Sequence, residues 1–203
     1  MISLFDKLKL AASQKGLQPR SKESVKWFRQ RISSMRGKEL RRIKGGDLMK
    51  QDDITIKSGP LPRVGSMAMF FYDPKHKKTL PYYDAFPMII PVGPAKDGFY
   101  GLNVHYLPPL LRAKFLDALL DVTNNKKFDD STKFQISYGM LKAAEKLKYF
   151  KPCFKHYLFK HVRSKFGIVS PEDWEIAIFL PSADWQKGSG SQVYRDSRKI
   201  ING

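Results

Sequence analysis

Cysteine is nearly absent from this chain: Cys153 is the only one in 203 residues. No disulfide can therefore form within the chain, which fits assembly in a reducing cytoplasm. Long apolar runs are also missing, since none approaches the roughly 18 residues that a bilayer-spanning helix needs. The opening MISLFDKLKLAASQKG has a short apolar face, but Asp6 and Lys7 interrupt any signal-peptide core. Histidine is sparse as well, at four positions. His156 and His161 stand five apart on an expected helix, about 140° apart around its axis, so they do not share an ion. No metal site, and no other cofactor, is expected. Acidic residues number 19 against 37 Lys and Arg, leaving a net charge of +18.

What is present in excess is positive charge at one end. The first fifty residues hold fourteen Lys and Arg against four Asp and Glu. Most of them fall in SKESVKWFRQRISSMRGKELRRIKGG. A charge density of this kind attracts a polyanion, because every neutralised phosphate releases condensed counterions. The candidate contacts are Lys26, Arg29, Arg36, Lys38, Arg41, Arg42 and Lys44. The plainer reading is a helix charged only for solubility; Arg-rich composition beside the flexible Gly45-Gly46 favours a polyanion or assembly contact. Apolar residues make up 42% of the chain and aromatics 13%, so it is not a disordered basic tail.

Periodicity divides the chain into three parts. Residues 1–59 read as a basic helical arm: a short amphipathic helix over 2–14, a break at Gly16–Pro19, then a helix capped by Ser21. Gln51 to Arg63 reads as a polar, extended linker. Residues 60–181 read as an α+β body. Strand-like runs at 64–72, 86–92 and 99–107 predict a small antiparallel sheet or barrel-like unit, with Pro87 and Pro91 marking an edge or bulged strand. About three helices follow: one opened by Pro108-Pro109, one over 131–147, and one from Pro152 through Phe166, where Phe154, Leu158, Val162 and Phe166 recur every four residues. DWEIAIFLP at 173–181 alternates like a strand. Residues 182–203 read as a polar tail with a Gly-Ser joint at 188–191.

Signatures of catalysis are absent from the sequence: no GxSxG elbow, phosphate loop or dinucleotide fingerprint occurs. GPAKDG joins two strand-like runs and reads as a hairpin turn. Cys153 with His156 suggests a nucleophile and base, but a cysteine at an apolar helix start is usually buried filling. The carboxylates are scattered, and Asp129-Asp130 and Glu172-Asp173 sit where capping explains them. A binding protein is expected rather than an enzyme. The dense cluster LPYYDAFP places Tyr82 and Tyr83 as a stacking platform for nucleic acid or, more plainly, as packing or an interface. Arg195, Arg198 and Lys199 in the tail are further interface candidates.

Three stretches, FFYDPKHKKTLPYYDAFPMIIPV, GFYGLNVHYLPPLLRAKFLDAL and DWEIAIFLPSADW, resemble the DNA end protector family, small virion proteins of large contractile-tailed bacteriophages. The resemblance spans about residues 64–185. It implies a protein of the virion, assembled in the host cytoplasm, that joins the filled head late. There it would sit on the genome end near the portal and neck and shield it from exonucleases. Double-stranded phage DNA and other virion proteins (portal, neck or baseplate subunits) would be its partners, with no membrane partner and no carried-over catalytic residue. A rival is an architectural neck or baseplate subunit whose extensions thread between neighbours without touching DNA. A nuclease or DNA-processing enzyme is the third class.

Overall fold

The computed structural model describes residues 10–17, 54–57, 64–108, 111–112, 114–116, 148–169, 174–178 and 182–203, with the single positions 23, 27 and 139. Its centre is a six-stranded sheet in the order β1-β7-β2-β4-β5-β6. The strands are β1 (Ile54–Lys57), β2 (Met67–Met69), β4 (Met88–Ala95), β5 (Gly98–Asn103), β6 (Phe154–Leu158) and β7 (Phe166–Val169). Every pairing among them is antiparallel. A two-residue ribbon pairs β3 (Tyr83–Asp84) with β8 (Trp185–Gln186), and the helices include α1 (Trp174–Ala177) and α2 (Gly190–Asn202). Sheet and helices together make an α+β body. The sheet is open, ending on β1 and β6, so the barrel-like alternative does not hold among the described residues.

Both faces of the central strands are buried, which is why these strands read as near-continuous apolar runs. Met67, Met69, Met88, Ile90 and Leu102 pack on one face with Ala12, Phe115, Trp174 and Val193. The other face is aromatic. There Phe70 meets Phe166, Tyr157, Phe99 and Tyr72 edge-on, with ring centroids at 5.0, 5.3, 6.0 and 6.0 Å. Edge-to-face geometry places the positive rim of one ring on the negative face of the next.

Of the two prolines of the second run, Pro87 precedes β4 and Pro91 sits at a bulge, so neither marks an edge strand. β4 lies inside the sheet between β2 and β5, and its register with β5 slips between Pro91 and Gly93. Val92 is the extra residue, and the bulge falls directly after Pro91, which has no N–H to give the ladder. Lys96-Asp97 then closes the expected hairpin, with Asp97 in the left-handed region at φ 58°. Gly98, the first residue of β5, is required by a close approach: a Cβ there would lie 1.9 Å from the Tyr157 carbonyl oxygen of β6. Gly98→Ala is expected to cost about 2–3 kcal/mol by overpacking, read as a lowered Tm.

Four readings of the sequence are corrected. Residues 152–166 are not a helix: the segment runs as β6, a 3₁₀ turn at Phe159–His161, and the start of β7. A spacing of four is an even number, so Phe154, Leu158, Val162 and Phe166 satisfy a strand's period as well as a helix's. Aromatic and β-branched residues then decide for the strand. DWEIAIFLP does not form a strand at its start, because Trp174–Ala177 is helical. The preceding Ser170-Pro171-Glu172-Asp173 carries the hydroxyl, proline and acidic residues of a helix start. The stretch read as a linker contributes β1, paired with β7 from Ile54↔Val169 to Lys57↔Phe166. Finally, the segment read as a polar tail holds β8 and a 13-residue helix. Ser189 caps that helix through Gln192 N–H, while Val193, Ser197 and Ile201 are buried. The Gly-Ser joint is a helix start.

The helix expected over 131–147 lies almost wholly outside the described residues. Residues 10–14 are helical, within the expected 2–14.

Candidate nucleic-acid interface

Two features stand out around the β3–β8 ribbon: a buried polar chain and an open, tyrosine-walled cleft beside it. The chain begins at Asp84. Its Oδ1 accepts from the backbone N–H groups of Phe86 (3.1 Å) and Asp184 (2.9 Å). Its Oδ2 accepts from Asn103 Nδ2 (3.1 Å) and lies 2.6 Å from His105 Nδ1. His105 Nε2 in turn lies 3.0 Å from Ser182 Oγ. With Nδ1–H donating to the carboxylate, Nε2 accepts from the serine hydroxyl, and the imidazole is neutral.

This Asp–His–Ser order resembles a nucleophile triad, but its placement is that of a tie. His105 is 0% exposed and Ser182 1%, so nothing that needs attacking can reach the hydroxyl. A triad needs a reacting atom beside the nucleophile and donors for the developing oxyanion. Here the chain joins β3, the end of β5 and the segment before β8. Asn103 also caps the 3₁₀ turn Val104–Tyr106, its Oδ1 accepting from His105 N–H.

Complete burial pulls the His105 pKa below its ordinary value, against the opposing pull of Asp84, and the Arg112 charge pushes it the same way as burial. An unfolded chain takes up a proton on this residue as pH falls through about 6.5, while the native one does not. Stability from this group is therefore complete above about pH 6.5 and declines below it. Tm should fall between pH 7 and 5, by at most about 1.4 kcal/mol of stability per pH unit. The exposed Asp73 carboxylate is held low by Lys77, so its window lies in the carboxylate range, at more acid pH.

Arg112, also fully buried, closes the tie from the other side. Nε donates to Leu107 O at 2.7 Å, one terminal nitrogen to Ile178 O at 2.9 Å, and the other to His105 O at 3.0 Å and Tyr194 Oη at 2.6 Å. One guanidinium thus fastens the 3₁₀ turn, the end of α1 and α2. Arg112→Lys is expected to lose about 2–3 kcal/mol, because an ammonium cannot serve four fixed acceptors in one plane; chemical denaturation would read it.

The cleft has a volume of about 560 Å³ and is bounded by the β2–β3 loop, residues 151–158 and α2. Tyr82, Tyr83 and Tyr106 line it, with Lys75, Lys151 and Lys155. Tyr82 and Tyr83 are half-buried, Tyr82 against Tyr106 and edge-on to Trp185. Tyr82 thus both packs on its neighbours and lines the cleft. Lys155 is set deep, its Nζ 4.0 Å from the Tyr106 ring centroid, and burial pulls its pKa down. Lys75 and Lys151 are exposed at the rim. Among the described residues, none of the three lysines has an ion-pair partner.

Of the other candidates, Arg195, Arg198 and Lys199 are exposed along α2. Lys26, Arg29, Arg36, Lys38, Arg41, Arg42 and Lys44 lie outside the described residues. Cys153 is sealed in the core, its thiol donating to Phe150 O and pushed up to about 12 by burial. His156 bonds instead to Lys96 O, and His161 to Asp73 O, so neither serves Cys153 or the other. Among the described residues no cluster of His, Cys, Asp or Glu is arranged to hold a metal ion. Likewise, no helix there is long and apolar enough to cross a membrane.

Sequence reasoning missed Asp84, His105, Arg112 and Lys155. The signal for the first two was their setting among apolar and aromatic residues, in LPYYDAFP and GLNVHYL, where a titratable group must find partners. Lys155 was hidden by the helical reading of residues 152–166, which does not place it beside Tyr106.

No curated protein and no solved structure matches the chain. A family model described as Phage T4 terminal DNA protecting protein matches residues 1–200. With the match running through the arm, the sheet, the tyrosine cleft and α2, the chain belongs to the family of phage T4 terminal DNA protecting proteins.

Proposed function

We propose that this protein is a virion component that binds the end of a packaged phage genome and shields it from exonucleases, through sequence-independent phosphate contacts. It acts by occupancy rather than by catalysis. The observation that carries the reading is the family match over residues 1–200. Charge supports it: ten of the eighteen net positive charges fall in the first fifty residues. Phosphate contacts position a protein on DNA without reading sequence, which suits genome ends of varied sequence. The sealed Asp84–His105–Ser182 chain supports a non-catalytic role, since its hydroxyl has no access to substrate.

The seven candidate arm cations, Lys26, Arg29, Arg36, Lys38, Arg41, Arg42 and Lys44, are assigned to phosphate, and Arg195, Arg198 and Lys199 to a flanking virion surface. The site of action is the head–neck region, where a genome end emerges. Duplex affinity should fall roughly 10³-fold between 50 and 200 mM salt, the response of about six phosphate contacts. A salt-independent affinity would count against it. The architectural reading shares the same charge and predicts a fixed copy number in particles that lack DNA. Counting copies in empty and filled heads separates the two.

A further inference from the structure

We propose that the tyrosine-walled cleft receives the terminal nucleotide of the DNA, with its 5′-phosphate on Lys155, Lys151 and Lys75 and its base against Tyr82 and Tyr83. This rests on the reading that the protein binds DNA ends, and it names the part of an end that is recognised.

Size limits the occupant. At about 560 Å³ the cleft falls within the range of small-molecule sites and excludes a duplex, so only a frayed nucleotide enters. Fraying costs least at an end, where a single neighbouring step holds the pair. Charge selects the chemistry. A terminal phosphomonoester carries about two negative charges near pH 7, whereas an internal phosphodiester carries one. Three lysines face the cleft, together with His76 and His156. The carboxylate at its edge, Asp84, is 4% exposed and already accepts four hydrogen bonds. Lys155 is the deepest cation, and an arriving phosphate would supply the counter-charge it lacks. Ser197 Oγ adds a second observation: it lines the cleft, is buried, and has no hydrogen-bond partner. The tyrosine rings provide a sequence-tolerant stacking surface, because every base has a π-face.

The test uses the full chain and three DNAs of equal length. One is a dumbbell closed at both ends; the others are hairpins with one open end bearing either a 5′-phosphate or a 5′-hydroxyl. The phosphorylated hairpin should bind about tenfold more tightly than the hydroxyl form. Lys155→Met should reduce that ratio below about twofold and leave dumbbell affinity unchanged. If Lys155→Met does not fold, Lys75→Ala with Lys151→Ala, both at exposed positions, carries the same expectation. Equal affinity for the two hairpins, or a ratio unchanged in the variants, overturns the pocket. If open ends are still preferred over the dumbbell in that case, the end-binding function stands without it. No discrimination among the three DNAs overturns both.

Discussion

Asp84→Ala is expected to leave little native protein. The substitution strands four donors at once: the N–H groups of Phe86 and Asp184, the Asn103 amide and the His105 ring. Each buried donor without an acceptor costs about 1–3 kcal/mol, giving a loss of about 4 kcal/mol or more. The change also removes the negative charge that balances the buried Arg112. A domain of ordinary stability holds about 5–15 kcal/mol, so most of the margin disappears. Asp84→Asn should sit between Ala and the parent. Its carbonyl keeps part of the acceptor capacity, but its NH₂ faces a partner set built of donors. Equilibrium unfolding in urea, read by the tryptophans, would rank the three. An Asp84→Ala protein as stable as the parent would mean that the polar tie does not hold the ribbon to the sheet.

Replacing Arg36, Arg41 and Arg42 together by Ala is expected to weaken duplex binding roughly 100-fold near 0.1 M salt. Each phosphate contact contributes about 0.9 to the slope of log affinity against log salt, so the slope should shrink by roughly 2.7. The loss should be the same on every sequence, because backbone contacts carry no base information. Titration of a labelled duplex at several salt concentrations measures both quantities. An unchanged slope would move the charge from DNA to an acidic protein surface, as the architectural alternative requires.

The sheet was legible where strands are buried on both faces, and illegible where spacing was ambiguous. Met67–Met69, Met88–Val92 and Gly98–Asn103 announce themselves through dense apolar and aromatic runs bounded by glycine and proline. Phe154–Leu158 does not, because its spacing suits both periods and its partner strand lies some fifty residues earlier. Pairing over that distance leaves no local trace. The closing helix was hidden by composition: Val193, Ser197 and Ile201 make a narrow buried stripe in an otherwise polar segment. Within the site, the tyrosines were visible as a cluster. Their union with Lys155 and Ser197 required the fold, since these positions come from the β2–β3 loop, β6 and α2. The acidic–imidazole tie is likewise non-local, reaching from Asp84 to Ser182 through His105.

The central claim is physical occupancy of a DNA end, and protection from digestion tests it most directly. Linear duplex DNA, incubated with the full chain at low salt and then exposed to an exonuclease that starts from ends, should lose nucleotides at least tenfold more slowly than bare DNA. The protection should vanish as salt rises. An endonuclease acting far from the ends should be unaffected at the same protein concentration. Unslowed exonuclease digestion at saturating protein would contradict the account.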